Sequence, residues 1–179
     1  MKVVLVLVSS LNGKITKDED NNVRLWSSKE DQEYFSSLIQ KSNLIVMGRE
    51  TYEAARAIIK LTPHKLRIVL TRNPERFKRF EVLGQLEFTN DSPARLVQRM
   101  EIKGYREMLL VGGSAISSLF FQQNIIDEVW VTLEPYIIGR GKNLVEDTNL
   151  NLTLKLINLT KLNKKGTLLL KYSVVKPKV

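Results

Sequence analysis

The chain has 179 residues, 43% hydrophobic and 26% charged, which is the balance of a soluble globular protein long enough to bury a core. It has no cysteine and one histidine, His64, which excludes disulfides, thiolate metal sites, cysteine nucleophiles and multi-histidine metal centres, so no metal is expected. The net charge of +9 raises a polyanion partner, but the basic residues are scattered, with no arginine-rich arm, RNP-like strand or zinc-finger spacing. That pattern argues against a nucleic-acid module and for attraction of phosphorylated small molecules.

Lys2–Val8 is a continuous, mostly β-branched run that reads as a central strand buried on both faces. It and Met108–Val111 are strand-sized, far short of a membrane span. The chain enters this strand without a cleavage-site pattern, so the cytoplasm is the expected location. A polar loop follows from Ser9 to Arg24, carrying Gly13 and the Asp18–Asn22 cluster; loops of that length tend to carry function. Ser27 or Ser28 caps a helix with Glu30 and Asp31 in its first turn. Its apolar face is Tyr34, Phe35, Leu38 and Ile39, and it ends near Lys41-Ser42-Asn43.

Strand Leu44–Met47, the pair Gly48-Arg49 and a helix from about Glu50 to Lys60 come next. The loop Leu61–Lys65, with His64 in a polar turn, precedes strand Leu66–Leu70. The basic connector containing Arg76-Phe77-Lys78-Arg79 leads to a short strand, Leu86–Thr89. Asp91 or Ser92 with Pro93 opens a helix to Lys103. Strand Met108–Val111, helix Ser114–Gln122 and strand Glu128–Glu134 follow. The segments Thr153–Leu162 and Thr167–Val175 flank Asn163-Lys164-Lys165-Gly166 and read as a hairpin. Alternating strands and helices followed by a hairpin predict an α/β fold. Its sheet is mostly parallel with an antiparallel edge, carries helices on both faces, and belongs to one domain over 1–179. An exposed apolar strand and the Ile125-Ile126 region are the candidate surfaces for a homodimer.

Three strand ends carry the chemistry. Leu110-Val111-Gly112-Gly113-Ser114-Ala115-Ile116 runs a strand into two glycines and then a helix. It brings bare amides and a helix dipole to one place, as a pyrophosphate requires. Met47-Gly48-Arg49-Glu50-Thr51-Tyr52-Glu53 adds a glycine, a guanidinium and a hydroxyl. Leu70-Thr71-Arg72 ends a third strand with a hydroxyl and a cation. Ligands of open α/β sheets lie beyond such carboxyl ends. Arg49 and Arg72 suit an extra phosphate, the mark of NADPH rather than NADH. Neither a Gly-x-Gly-x-x-Gly fingerprint nor a P-loop lysine occurs.

These motifs, with Ser9–Ile15, Trp26–Asp31 and Pro135–Gly141, resemble the dihydrofolate reductase-like fold, specifically its riboflavin-biosynthesis branch, the RibD C-terminal domain. The resemblance implies a three-layer reductase that binds NADPH. Gly48, Arg49, Thr51, Thr71 and Arg72 would hold the adenosine phosphates. Val111, Gly112, Gly113, Ser114, Ala115 and Ile116 would hold the pyrophosphate and the ribose-nicotinamide side. Val8 and Ile15 would flank the nicotinamide under a mobile Ser9–Arg24 cover. Asp31 falls at the family's buried acid, supported by Thr132, and Phe35 also matches. Asn12, Trp26, Phe35, Gly139 and Gly141 would face the substrate, and Arg140 or Lys14 is a candidate for its phosphate.

Asn12 stands where the family commonly has aspartate. Lys65 lies near the arginine that clamps folate in true dihydrofolate reductases, and a lysine lacks that bidentate fork. The implied substrate is therefore a ribosylamino-pyrimidine 5′-phosphate reduced to the ribitylamino product, with 7,8-dihydrofolate as the alternative. A basic nucleic-acid-binding domain and a nucleotide-binding protein without turnover are the readings from other classes.

Overall fold

The computed structural model describes residues 1–18, 20–146 and 149–176; Glu19 of the Asp18–Asn22 cluster lies outside them. The aliphatic runs form β1 (Lys2–Ser10), β2 (Leu44–Gly48), β3 (Leu66–Leu70), β4 (Leu86–Thr89), β5 (Glu107–Leu110) and β6 (Glu128–Glu134). The tail forms β7 (Thr153–Lys161) and β8 (Leu168–Val175). The helices are α1 (Lys29–Lys41), α2 (Arg49–Ala55), α3 (Pro93–Ile102) and α4 (Ser114–Gln122).

All eight strands join one sheet in the order β4-β3-β2-β5-β1-β6-β8-β7. Strands β1 to β6 pair in parallel, whereas β8 runs antiparallel to both β6 and β7. The expected mostly parallel sheet with an antiparallel C-terminal hairpin is the observed one. Chain order decides which helix covers which face. The connections through α1 and α2 place Phe35, Leu38 and Tyr52 against Val4, Val6 and Ile45. On the opposite face, Leu96 and Met100 of α3 and Phe120 of α4 bury Val3, Leu5 and Leu110.

Three local expectations change. The second helix stops at Ala55 rather than Lys60; the amides of Ile58 and Ile59 both return to Ala55 O at 2.9 and 3.1 Å. The β-branched pair and the following Thr62-Pro63 disfavour a further helical turn. The basic connector tightens into a 3-10 turn, Pro74–Phe80, that stacks Phe77 on Phe88 with centroids 5.1 Å apart. Ile125-Ile126 is no docking surface, because Ile126 is 1% exposed and Ile125 packs on the core.

The Ser9–Arg24 segment, expected as a mobile cover, is stitched to the 138–144 segment over its first half. Ile15 N–H donates to Lys142 O at 2.9 Å, Asp18 N–H to Arg140 O at 2.9 Å, and Leu144 N–H to Gly13 O at 3.1 Å. Gly141 has φ +151°, and a Cβ there would lie 2.1 Å from Thr16 O, so only glycine permits this seam.

Candidate active site

β3, β2 and β5 are consecutive in the sheet, so the three glycine- and hydroxyl-bearing junctions stand side by side on one edge. Gly48 N–H donates to Gly112 O at 2.8 Å, tying the second junction to the third. A Cβ on Gly48 would stand 2.8 Å from Ile116 Cγ1, so the Ile116 side chain packs directly on this glycine and leaves no room for a larger residue. Gly112 has φ +78°, and the Gly112–Gly113 peptide is cis. α2 and α4 start from Gly48 and Gly113 with no side-chain cap, which leaves their first-turn amides for an anionic ligand. Ser117 Oγ, beside Gly112 and buried, has no hydrogen-bond partner among the described residues.

One cleft of about 1530 Å³ runs past these junctions, larger than the roughly 300–1,000 Å³ that holds one small molecule. Gly48, Arg49, Thr51, Thr71, Arg72 and the whole Val111–Ile116 run line it, as do Val8 and Ile15. From β3 to β1 is three strand spacings, about 14 Å at ~4.8 Å each, a span that suits a dinucleotide laid across the edge. The β3 end of that span carries Arg72 and Arg76, neither paired with a carboxylate among the described residues. Arg49 instead bonds Glu53 at 2.7 Å, so a phosphate there must compete with an existing ion pair.

The cleft continues beneath α1, where Asp31, Phe35 and Tyr34 line it. Ser28 caps this helix and accepts from Asp31 N–H at 3.2 Å, which fixes the first turn and points Asp31 inward. Asp31 is 7% exposed. Burial holds its carboxyl above the usual aspartate range; the neighbouring Thr132 and Ser27 hydroxyls oppose this, and the charge of Glu134 adds to it. Burial and the Asp31 charge push the Tyr34 phenol up to about 12. Tyr34 Oη and Ser27 Oγ are buried without well-formed hydrogen bonds among the described residues, so this end offers donors and acceptors to a polar ligand.

Thr132 sits behind Asp31 rather than on the cleft wall. Asn12, Trp26, Gly139 and Gly141 also lie off the wall. The Asn12 side chain donates to Ile138 O at 2.8 Å and accepts from Ile138 N–H at 3.0 Å, clamping the loop. Lys14 bonds Asn143 at 2.8 Å, and Arg140 faces a shallow hollow beside Asp18 and Glu50, so neither candidate phosphate ligand reaches the cleft.

Two residues of this site are absent from the sequence reading. Glu134, 2% exposed, accepts from Ser28 N–H and Thr167 Oγ1, both at 2.7 Å, and so ties the start of α1 to the start of the last strand. The sequence signal was a glutamate two residues after Thr132 in a strand, hence on the same face. Arg67, 6% exposed, lines the far end of the cleft beside Lys65, and its Nη1 has no partner among the described residues. Lys65 bonds the last carbonyls of α1, Ile39 O and Gln40 O. The signal there was an arginine inside the otherwise aliphatic Leu66–Leu70. No group of three or more potential metal ligands occurs among the described residues.

The Bacillus subtilis (strain 168) protein YwjB is 28% identical over 171 residues, covering 93% of this chain and 90% of its own. A pyrimidine reductase-like protein from Corynebacterium diphtheriae superposes with a TM-score of 0.80 at 15% identity, over 98% of this chain and 92% of that one. A Thermotoga maritima diaminohydroxyphosphoribosylaminopyrimidine deaminase/5-amino-6-(5-phosphoribosylamino)uracil reductase superposes with a TM-score of 0.75 at 17% identity, over 97% of this chain and 56% of that one. These likenesses show the shared dihydrofolate reductase-like fold. The RibD C-terminal domain model matches residues 1–168, nearly the whole chain. The chain therefore belongs to the RibD C-terminal domain family, a family of reductase domains that work with a nicotinamide cofactor.

Proposed function

We propose that the chain is a cytoplasmic NADPH-dependent reductase that converts a ribosylamino-pyrimidine 5′-phosphate to the ribitylamino product. The observation that carries this reading is one continuous cleft joining two uncapped helix N-termini to the buried carboxyl of Asp31. The amides at Gly48 and Gly113 suit a pyrophosphate, and Arg72 with Arg76 suits the extra phosphate of NADPH. NADPH, when bound, supplies the hydride that adds to C1′ of the open-chain imine of the substrate. Val8 and Ile15 give the reacting ring an apolar bed and exclude water. Asp31, whose carboxyl burial holds above the ordinary aspartate range, is placed to relay the proton that the imine nitrogen takes up. At the far end, Arg67 and Lys65 meet an anionic substrate group, and no carboxylate pairs with either among the described residues.

One observation favours 7,8-dihydrofolate as a second substrate: Asp31 stands beside Thr132, the acid-and-hydroxyl pair of dihydrofolate reductases. NADPH oxidation is measured with each substrate in parallel. Turnover of the pyrimidine phosphate is expected. Turnover of dihydrofolate alone would replace the substrate, and no dinucleotide binding by the intact protein would end the reading.

A further inference from the structure

Helix α4 carries Ser114, Ser117 and Ser118 on its buried side, and the last two spend their hydroxyls differently. Ser118 Oγ donates to Ser114 O at 2.9 Å and accepts from Glu146 N–H at 2.8 Å. Ser117, 1% exposed, is satisfied only along its backbone, where its N–H donates to Gly113 O at 2.9 Å. Its hydroxyl lines the cleft and has no partner among the described residues. A buried, unpaired hydroxyl lowers stability, and alanine is the better helix former. Neither folding nor helix formation therefore accounts for a serine at 117.

The position of Ser117 limits which ligand can reach it. Ile116 packs on Gly48, at the end of β2. Ser117 lies about 100° further round the helix. Its Oγ is 3.7 Å from where a Gly112 Cβ would stand, in the turn after β5. That step leads along the sheet edge from β2 towards β1, the strand of Val8. Because α4 covers the face opposite α1, a group held beside Asp31 is on the wrong side of the sheet for Ser117. A dinucleotide laid across the edge passes it.

We propose that the Ser117 hydroxyl is a hydrogen-bonding contact of the bound dinucleotide, made to an oxygen on its nicotinamide-ribose half. This contact presupposes the cofactor reading, and it lies one helical turn beyond the glycine pair. A hydroxyl both donates and accepts, so it fits a ribose hydroxyl or a carboxamide oxygen without placing a charge near the reacting ring. Because the group is already stripped of water in the free protein, the bond it makes on binding is worth more than an exposed one.

Ser117→Ala tests this with two effects of opposite sign. In the cofactor-free protein Tm should rise by at least about 2 °C, because an unpaired hydroxyl is removed. Ser118→Ala gains the same helix propensity but loses two hydrogen bonds, so its Tm should fall. In calorimetric titrations the Ser117→Ala protein should bind NADPH about 5- to 20-fold more weakly than wild type. Adenosine 2′,5′-bisphosphate, which lacks the nicotinamide half, should bind both proteins alike. Thio-NADPH locates the acceptor: a smaller loss than with NADPH marks the carboxamide oxygen, and an equal loss marks the ribose. Unchanged NADPH affinity overturns the proposal. So does a lower Tm for Ser117→Ala, which reveals a partner within the protein, or an equal weakening of NADPH and the bisphosphate, which reveals a disturbed cradle. A wild-type protein that binds neither ligand removes the cofactor reading itself, and this contact with it.

Discussion

Gly48→Ala tests how tightly the cradle is built. The backbone there has φ −79°, which alanine adopts freely, so the lost flexibility of the unfolded chain favours the variant by about 0.4–1 kcal/mol. Space argues the other way. The new Cβ would stand 2.8 Å from Ile116 Cγ1, whereas carbon atoms rest at about 3.5–4.0 Å, so the Ile116 side chain or the turn that carries it must give by close to 1 Å. Overpacking of this kind costs about 1–3 kcal/mol. The net is a loss of up to roughly 2.5 kcal/mol, and at about 2–4 °C per kcal/mol for a chain of this size Tm falls by up to roughly 10 °C. Because Ile116 lies in the first turn of α4, a displacement passed to its backbone would move the amides proposed to hold the pyrophosphate, and NADPH affinity should fall about 10- to 100-fold. Urea unfolding and NADPH fluorescence titration measure the two effects. Adding Ile116→Ala removes the clashing Cγ1, so the double-mutant cycle should show a favourable coupling of about 1–2 kcal/mol. A Gly48→Ala protein as stable as wild type and equally able to bind NADPH would refute the close-approach argument.

Other substitutions separate the roles within the cleft. Asp31→Asn should lower turnover by about 10²- to 10⁴-fold. The wild-type carboxyl is raised on folding, so its contribution to stability is full below the free aspartate range and is lost as pH climbs through the folded value. Asp31→Asn should therefore melt higher than wild type at pH 7, with the gap closing towards about pH 4; a lower Tm at neutral pH would contradict that burial. Arg72→Ala should weaken NADPH by about 10- to 100-fold and leave NADH nearly unchanged; equal weakening in calorimetric titrations would remove it from the phosphate site. Glu134→Gln keeps the shape but removes the charge that helps raise Asp31, so the alkaline limb of the rate profile should move to lower pH. An unmoved limb with reduced stability would leave Glu134 a purely structural tie.

Local patterns made most of the elements legible. Ser28, Ser92 and Pro93 mark helix starts by satisfying or lacking first-turn amides, and the aliphatic runs mark strands buried on both sides. The three glycine and hydroxyl junctions were readable because backbone approach and helix dipoles are written in consecutive residues. Glu134 and Arg67 were harder to see. Each is one polar residue in an apolar strand, and its meaning depends on which distant groups, Thr167 or Lys65, the fold sets beside it.

By itself, then, the sequence determined a mostly parallel α/β sheet, a cysteine-free chemistry and the residue types at three strand ends, since these depend on neighbours along the chain. Only the tertiary structure decided that β3, β2 and β5 lie adjacent, that Asp31 is buried, and that Asn12 clamps a loop instead of lining the cleft. It alone separates Ile126, sealed in the core, from Leu156, left on an open face. Strand order and burial arise from contacts between residues far apart in the chain, and no local pattern encodes them.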